Sequence, residues 1–164
     1  MTDSEQQNKA SYIEAIQRGK LLKVALIGIN FDVLPQMLTG QRLTPSFGRN
    51  VISYNRSEDM TTTIFEWEIK VSGSEEESES PIEEEVLCST RWLVGFGNLS
   101  GVGAEAACRY SQEVGTTTSY PYFRGLVAQL AWNATLVLPP MPVITIGSFP
   151  PVPLEELTAR QLSD

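Results

Sequence analysis

The chain contains no histidine among its 164 residues. Histidine is the commonest general base, proton shuttle and metal ligand near neutral pH, so its absence excludes serine–histidine and cysteine–histidine catalysis. The two cysteines, Cys88 and Cys108, form no CxxC pair and indicate neither a zinc site nor a disulfide framework. We therefore expect two buried thiols, no metal site and no enzymatic activity.

Long apolar runs are also missing. No stretch reaches the roughly 18 residues that a membrane-spanning helix needs. Residues 1–11 are polar and acidic, unlike the start of a secretory signal. These observations predict a cytoplasmic protein that is not inserted in a membrane.

Positive charge is scarce and scattered. Twelve Lys and Arg stand against 20 Asp and Glu, which gives a net charge of −8. Seven carboxylates lie within residues 75–85, so the rest of the chain carries 12 − 13 = −1. Without a Lys/Arg cluster to bind phosphates, nucleic acid is not an expected partner. The acidic run lacks the Asp/Asn and Gly spacing of a calcium loop, which favours a solvated loop, 73–85, over a cation site.

Hydrophobic periodicity predicts the regular elements. Residues 4–19 are expected to form a helix, and residues 20–31 a strand covered on both faces. An unusually apolar connection, 32–47, precedes strands at 49–57, 61–71 and 86–96, the last two pairing as a hairpin. A helix at 101–114, a main helix starting near Ser119 and a short helix near Pro153 complete the pattern. Strands followed by helices predict an α+β fold, a four-stranded antiparallel sheet with helices packed on one face.

Three units follow from this pattern: an N-terminal helix, residues 1–19, a central domain, 20–146, and a mobile C-terminal tail, 147–164. Within the domain, the glycine-rich residues 95–103 follow a strand, where a phosphate loop would lie. The glycine spacing does not match such a loop and no lysine is present, so a strand end and turn are expected. Glu66 and Glu68 point the same way from one strand, which is typical of a solvated sheet face rather than an acid/base pair.

Residues 120–146 are the most informative segment. Phe123, Leu126, Val127 and Leu130 recur at helical spacing, and after Thr135 an apolar, proline-broken run follows. Its prolines forbid both a helix and a central strand, so the run is expected to lie extended along the surface. Together with the apolar connection, it predicts exposed apolar surface of the kind that binds other chains.

This segment resembles the SecB export chaperones. The likeness rests on Tyr120, Pro121, Tyr122 and Arg124, then a helix, then Leu138, Pro139, Met141, Pro142 and Val143. Over these roughly 27 residues the chain is most similar to the SecB-like chaperones associated with toxin–antitoxin systems. Elsewhere the likeness is one of element order.

The resemblance implies a chaperone that assembles as a homotetramer, a dimer of dimers, without a cofactor. It implies apolar grooves that hold unfolded polypeptides, either preproteins or an antitoxin, and an acidic sheet face that docks an export motor ATPase. That face corresponds to Glu66 and Glu68 here. The groove residues that it implies are Leu34, Met37, Leu38, Leu43, Phe47, Tyr120, Tyr122, Trp132 and Leu136.

Two departures favour a specialised chaperone over a general export factor. Gly125 stands where the family carries a carboxylate, and Arg91 offsets part of the acidic face. The alternative function is a dedicated adaptor, or a phage-type structural protein, that uses the same surface for one fixed partner. Binding of many clients or of a single client distinguishes the two.

Overall fold

The computed structural model describes residues 3–34, 43–73 and 84–161. One helix is followed by four strands and then by two helices. Their order is α1 (Asp3–Arg18), β1 (Lys20–Phe31), β2 (Leu43–Arg56), β3 (Thr61–Gly73), β4 (Glu85–Gly97), α2 (Ala104–Asn133) and α3 (Leu154–Gln161).

The strands form one sheet in the order β1-β4-β3-β2, and each neighbouring pair is antiparallel. The predicted α+β class and the predicted β3–β4 hairpin are therefore confirmed. β1 and β2 are the two edges of the sheet. β2 begins at Leu43 rather than at residue 49, so the predicted connection, 32–47, extends too far at its C-terminal end. Pro45 is tolerated in β2 because an edge strand has one side free of ladder hydrogen bonds.

β3 shows the alternation that its sequence predicts. Phe65, Trp67 and Ile69 are fully buried against the helices, while the residues between them are only half-buried. The Trp67 ring stacks on Phe123 of α2 at 5.6 Å and lies 5.1 Å from the Tyr120 ring. Its indole N–H donates to the Ser119 hydroxyl at 3.0 Å. The helix face of the sheet is thus anchored to the middle of α2.

Helix α2 corrects the prediction of two helices. It runs without a break from Ala104 to Asn133, with Pro121 inside it. Gly115, predicted to begin a connection, lies where the helix crosses the sheet. A Cβ atom there would lie 2.6 Å from Cε2 of Phe65, so glycine is required for close packing rather than for a turn. Contacts between residues far apart in sequence therefore stabilise α2, which its proline and glycine would otherwise interrupt.

Residues 147–161 contact the body of the protein through backbone groups. The Gln112 side chain donates to the Val152 carbonyl and accepts from its N–H, both at 2.8 Å. Arg49 donates to the Pro150 carbonyl at 3.0 Å and to the Thr116 hydroxyl at 2.7 Å. Burial lowers the pKa of Arg49 to about 10, which leaves it charged at neutral pH. The sequence did not indicate these contacts of the C-terminal segment.

Helix α1 packs on the N-terminal half of α2 and ends before Gly19, as predicted. The Tyr12 hydroxyl donates to the Glu113 carboxylate. Arg109 lies over the Tyr12 ring at 4.6 Å and donates to Glu113 at 2.9 Å. Burial, followed by the hydrogen bond to Glu113 and then by the Glu113 charge, raises the pKa of Tyr12 to about 12. None of the helices in the described ranges is long and apolar enough to cross a membrane.

Candidate functional site

Strand β1 is an uncovered edge of the sheet. The sequence predicts a strand covered on both faces, and in the single chain this prediction is wrong, because most β1 side chains are exposed or half-buried. Helix α2 lies mainly over the two central strands, β3 and β4. On the helix side of β1, Val24 and Phe31 pack against the core, whereas Leu26 and Ile29 are exposed.

Residues of β1, β4 and the second half of α2 form an apolar surface. Leu26 and Ile29 of β1 pair with Trp92 and Thr90 of β4, which places all four side chains on the helix face. The Tyr122 ring of α2 lies 5.9 Å from the Trp92 ring. Leu26, Ile29 and Tyr122 are 40%, 49% and 54% exposed. We call this surface, formed by Leu26, Ile29, Trp92 and Tyr122, the β1 groove.

The Trp92 indole at the base of the β1 groove has its polar N–H group already hydrogen-bonded. The Trp92 N–H donates to the Thr90 hydroxyl at 3.0 Å, and this pair is buried. A polypeptide side chain that enters the groove would meet apolar atoms and displace water from them. Such contacts favour burial of apolar surface without selecting a sequence.

A second apolar surface lies on the other side of α2. Residues 136–146, the segment predicted to lie extended, form neither helix nor strand, and Leu136, Leu138, Met141 and Ile144 pack against the core. The Tyr120 hydroxyl donates to the Pro142 carbonyl, and burial raises the pKa of Tyr120. Three apolar side chains near this segment are largely exposed: Val137 98%, Trp132 83% and Val143 82%.

Those predicted groove residues whose side chains the structure describes do not form one continuous wall. Tyr122 lines the β1 groove and Trp132 is exposed, but Tyr120 lies in the core beside Trp67. Leu34 follows β1, whereas Phe47 lies on β2 at the opposite edge, and both are half-buried, as is Leu136.

The side-chain positions of three predicted groove residues are not described. Met37 and Leu38 lie outside the described residues, and Leu43 is described only as the first residue of β2. A role for the predicted set in client binding stays a prediction.

Leu26, Ile29 and Trp92 were not among the site residues that the sequence predicted. A usable signal was present in β1, where Leu26 and Ile27 are consecutive apolar residues that break strict alternation. The register of β1 shifts at that point, and a β-bulge re-aims neighbouring side chains. Trp92 is one of several alternating apolar residues of β4, and the sequence pattern alone does not distinguish it from the others.

The opposite face of the sheet bears Glu66 and Glu68, as predicted. Arg91 donates to Glu66 at 3.0 Å, and the Ser89 hydroxyl donates to the same oxygen at 3.4 Å. Glu68 is half-buried on the same face. The Arg91 charge offsets that of Glu66, so this face is less acidic than the two glutamates alone indicate.

A cleft of about 900 Å³ is lined by α1, the start of α2 and residues 151–155. Ile13 and Ile16 of α1 line it and are exposed. Cys88 and Cys108 are buried free thiols, as predicted, and burial raises their pKa values, that of Cys88 to about 11. In the described ranges, no three His, Cys, Asp or Glu residues are grouped to hold a metal ion.

Comparison with known proteins bears on the fold. No family model and no curated protein sequence matches the chain. Among solved structures, the chain is similar to a SecB-like chaperone of Mycobacterium tuberculosis in complex with a ChAD peptide from an antitoxin. The TM-score is 0.65 at 12% sequence identity, over 83% of this chain and 97% of the other. The chain therefore has the SecB-like fold that its sequence predicted.

Proposed function

We propose that this protein is a chaperone that holds unfolded or non-native polypeptides, without ATP and without catalysis. The observation that carries the proposal is the β1 groove, where three half-exposed apolar side chains lie around Trp92. A fold alone does not imply a function, so the proposal rests on this surface. The similarity to a chaperone that binds an antitoxin peptide supports it.

The energetics of the groove suit loose, sequence-tolerant binding. Burying a Leu- or Phe-sized side chain contributes roughly 1.5 to 3 kcal/mol. A few such contacts approach the roughly 8 kcal/mol of micromolar affinity.

Two classes of client fit the proposal, preproteins and an antitoxin. Export would need a motor ATPase to dock on the face that bears Glu66 and Glu68. The Arg91–Glu66 ion pair weakens the negative charge of that face. We therefore favour an antitoxin-type client, and a dedicated adaptor with one fixed partner is the second candidate.

Suppression of aggregation tests the proposal. We expect this protein, in molar excess, to lower the light scattering of a chemically denatured enzyme diluted into buffer. An equal mass of an inert acidic protein is the control for charge and crowding. Unchanged scattering with several unrelated clients would refute the holdase function. Suppression of a single client alone would favour the adaptor.

We propose a homotetramer, built as a dimer of dimers, in which two further apolar surfaces are buried. One is the edge of β1, where Leu22 and Ile27 are exposed and lie outside the regular pairing with β4. The other is the cleft beside Ile13 and Ile16 of α1. Two different self-complementary surfaces are what a dimer of dimers requires.

The assembly is checked by light scattering on a sizing column. We expect four chains per particle for the unchanged protein. Ile16→Glu places a charge in the cleft and is expected to give dimers, because burying an unpaired charge is unfavourable. Ile27→Lys tests the β1 edge in the same way. A wild-type monomer across micromolar concentrations would contradict the proposed assembly.

A further inference from the structure

A small groove lies between α2 and the extended segment, on the side of α2 away from β1. Its volume is about 420 Å³, and Pro121, Gly125 and Ala128 of the helix line it opposite Val143 and Ile144. This volume is at the lower end of the range for ligand sites and suits one large apolar side chain with its backbone. The groove is distinct from the β1 groove in every lining residue.

The groove has one charged residue in its lining, Arg124. The Arg124 side chain is exposed and, within the described parts of the chain, forms no ion pair or hydrogen bond. The other described arginines behave differently, because each donates to a carboxylate or to a neutral oxygen acceptor: Arg18, Arg49, Arg56, Arg91, Arg109 and Arg160. An unpaired guanidinium on a protein of net charge −8 is a local site of positive potential.

Gly125 leaves the groove open beside this charge. A Cβ atom at Gly125 would find no other atom within 4 Å, so the space above the helix backbone is empty. Ala128, one turn further along the same helix face, is also small. An apolar side chain can therefore reach the helix between Val143 and Arg124.

We propose that this groove binds a client residue pair, an apolar side chain followed by an aspartate or glutamate. The apolar side chain fills the space over Gly125, and the carboxylate accepts hydrogen bonds from Arg124. The planar guanidinium matches a carboxylate in a bidentate geometry. The inference rests on the proposed function and adds a preference for acidic-apolar segments to it.

The test uses two synthetic peptides that differ at one position. Both are extended, otherwise uncharged and apolar at the centre, with Leu-Asp in one and Leu-Asn in the other. Binding to the full chain is measured by fluorescence anisotropy. We expect the Leu-Asp peptide to bind about two- to fivefold tighter at low salt, the range for an exposed ion pair. The difference is expected to shrink as salt rises.

Two variants separate the charge from the cavity. Arg124→Gln is expected to equalise the two peptides without changing affinity for Leu-Asn. Gly125→Leu is expected to weaken both peptides, because the leucine side chain fills the groove. Thermal unfolding of each variant checks that the fold is retained.

Equal affinity of the wild type for the two peptides, or discrimination that survives Arg124→Gln, would overturn the inference. Its failure is distinguishable from failure of the proposed function. If the wild type suppresses aggregation but does not distinguish the peptides, only the acidic preference is wrong. If it does not suppress aggregation, the chaperone function itself is refuted.

Discussion

Gly115→Leu is expected to lower the free energy of unfolding by about 3 kcal/mol or more, the upper range for overpacking a core. A Cβ atom at this position would lie 2.6 and 2.7 Å from two atoms of the Phe65 ring. Phe65 is fully buried, with Arg49 over its ring at 5.9 Å, so the ring has little room to move away. Because whole domains are stable by roughly 5–15 kcal/mol, the change removes a large fraction of the total. Urea denaturation followed by tryptophan fluorescence measures it.

Gly125→Leu is the matched control in the same helix. No atom lies within 4 Å of its added Cβ, and leucine favours a helix more than glycine does. We expect its stability to rise by up to about 1 kcal/mol. Equal losses in the two variants would show that the helix–sheet crossing at Phe65 is not as close as the geometry indicates.

The triple variant Leu26→Ser, Ile29→Ser and Tyr122→Ser is expected to abolish suppression of aggregation. The three side chains are about half exposed, so their remaining burial by a client contributes about 2 to 4 kcal/mol in total. That free energy corresponds to a loss of roughly 30- to 700-fold in affinity. The light-scattering assay described above, titrated with the variant, measures the loss.

The control for this variant removes apolar surface elsewhere. Ile52 lies on β2, at the opposite edge of the sheet, and Met60 precedes β3; both are exposed. Ile52→Ser with Met60→Ser is expected to leave suppression unchanged. Sizing of both variants excludes a change in assembly. An active triple variant, or an inactive control, would show that the β1 groove is not the client surface.

The sequence determined the features that depend on neighbouring residues. Alternation in β3 placed Phe65 and Trp67 on the buried face and Glu66 and Glu68 on the other, as the structure confirms. The prolines after Thr135 excluded regular structure for the extended segment, which the structure also confirms. The likeness over residues 120–146 indicated the SecB-like fold.

Part of the candidate site could also be predicted from the sequence. Tyr122 was selected from the motif and does line the β1 groove, next to Trp92. Tyr120, selected by the same motif, is buried against Trp67. Two tyrosines separated by one residue lie on different faces of a helix, and sequence alone does not tell which face meets the sheet.

Only the tertiary structure decided which strand is an edge and where the helix continues. An apolar strand has the same sequence pattern whether or not a helix covers it. The open face of β1 therefore follows from the sheet order and from the position of α2 over β3 and β4. Likewise, Gly115 and Pro121 weaken a helix locally, but packing of α2 on Phe65 and Trp67 keeps it continuous. The physical reason is the same in both cases: periodicity records local preference, whereas coverage and continuity depend on contacts between residues far apart in the chain.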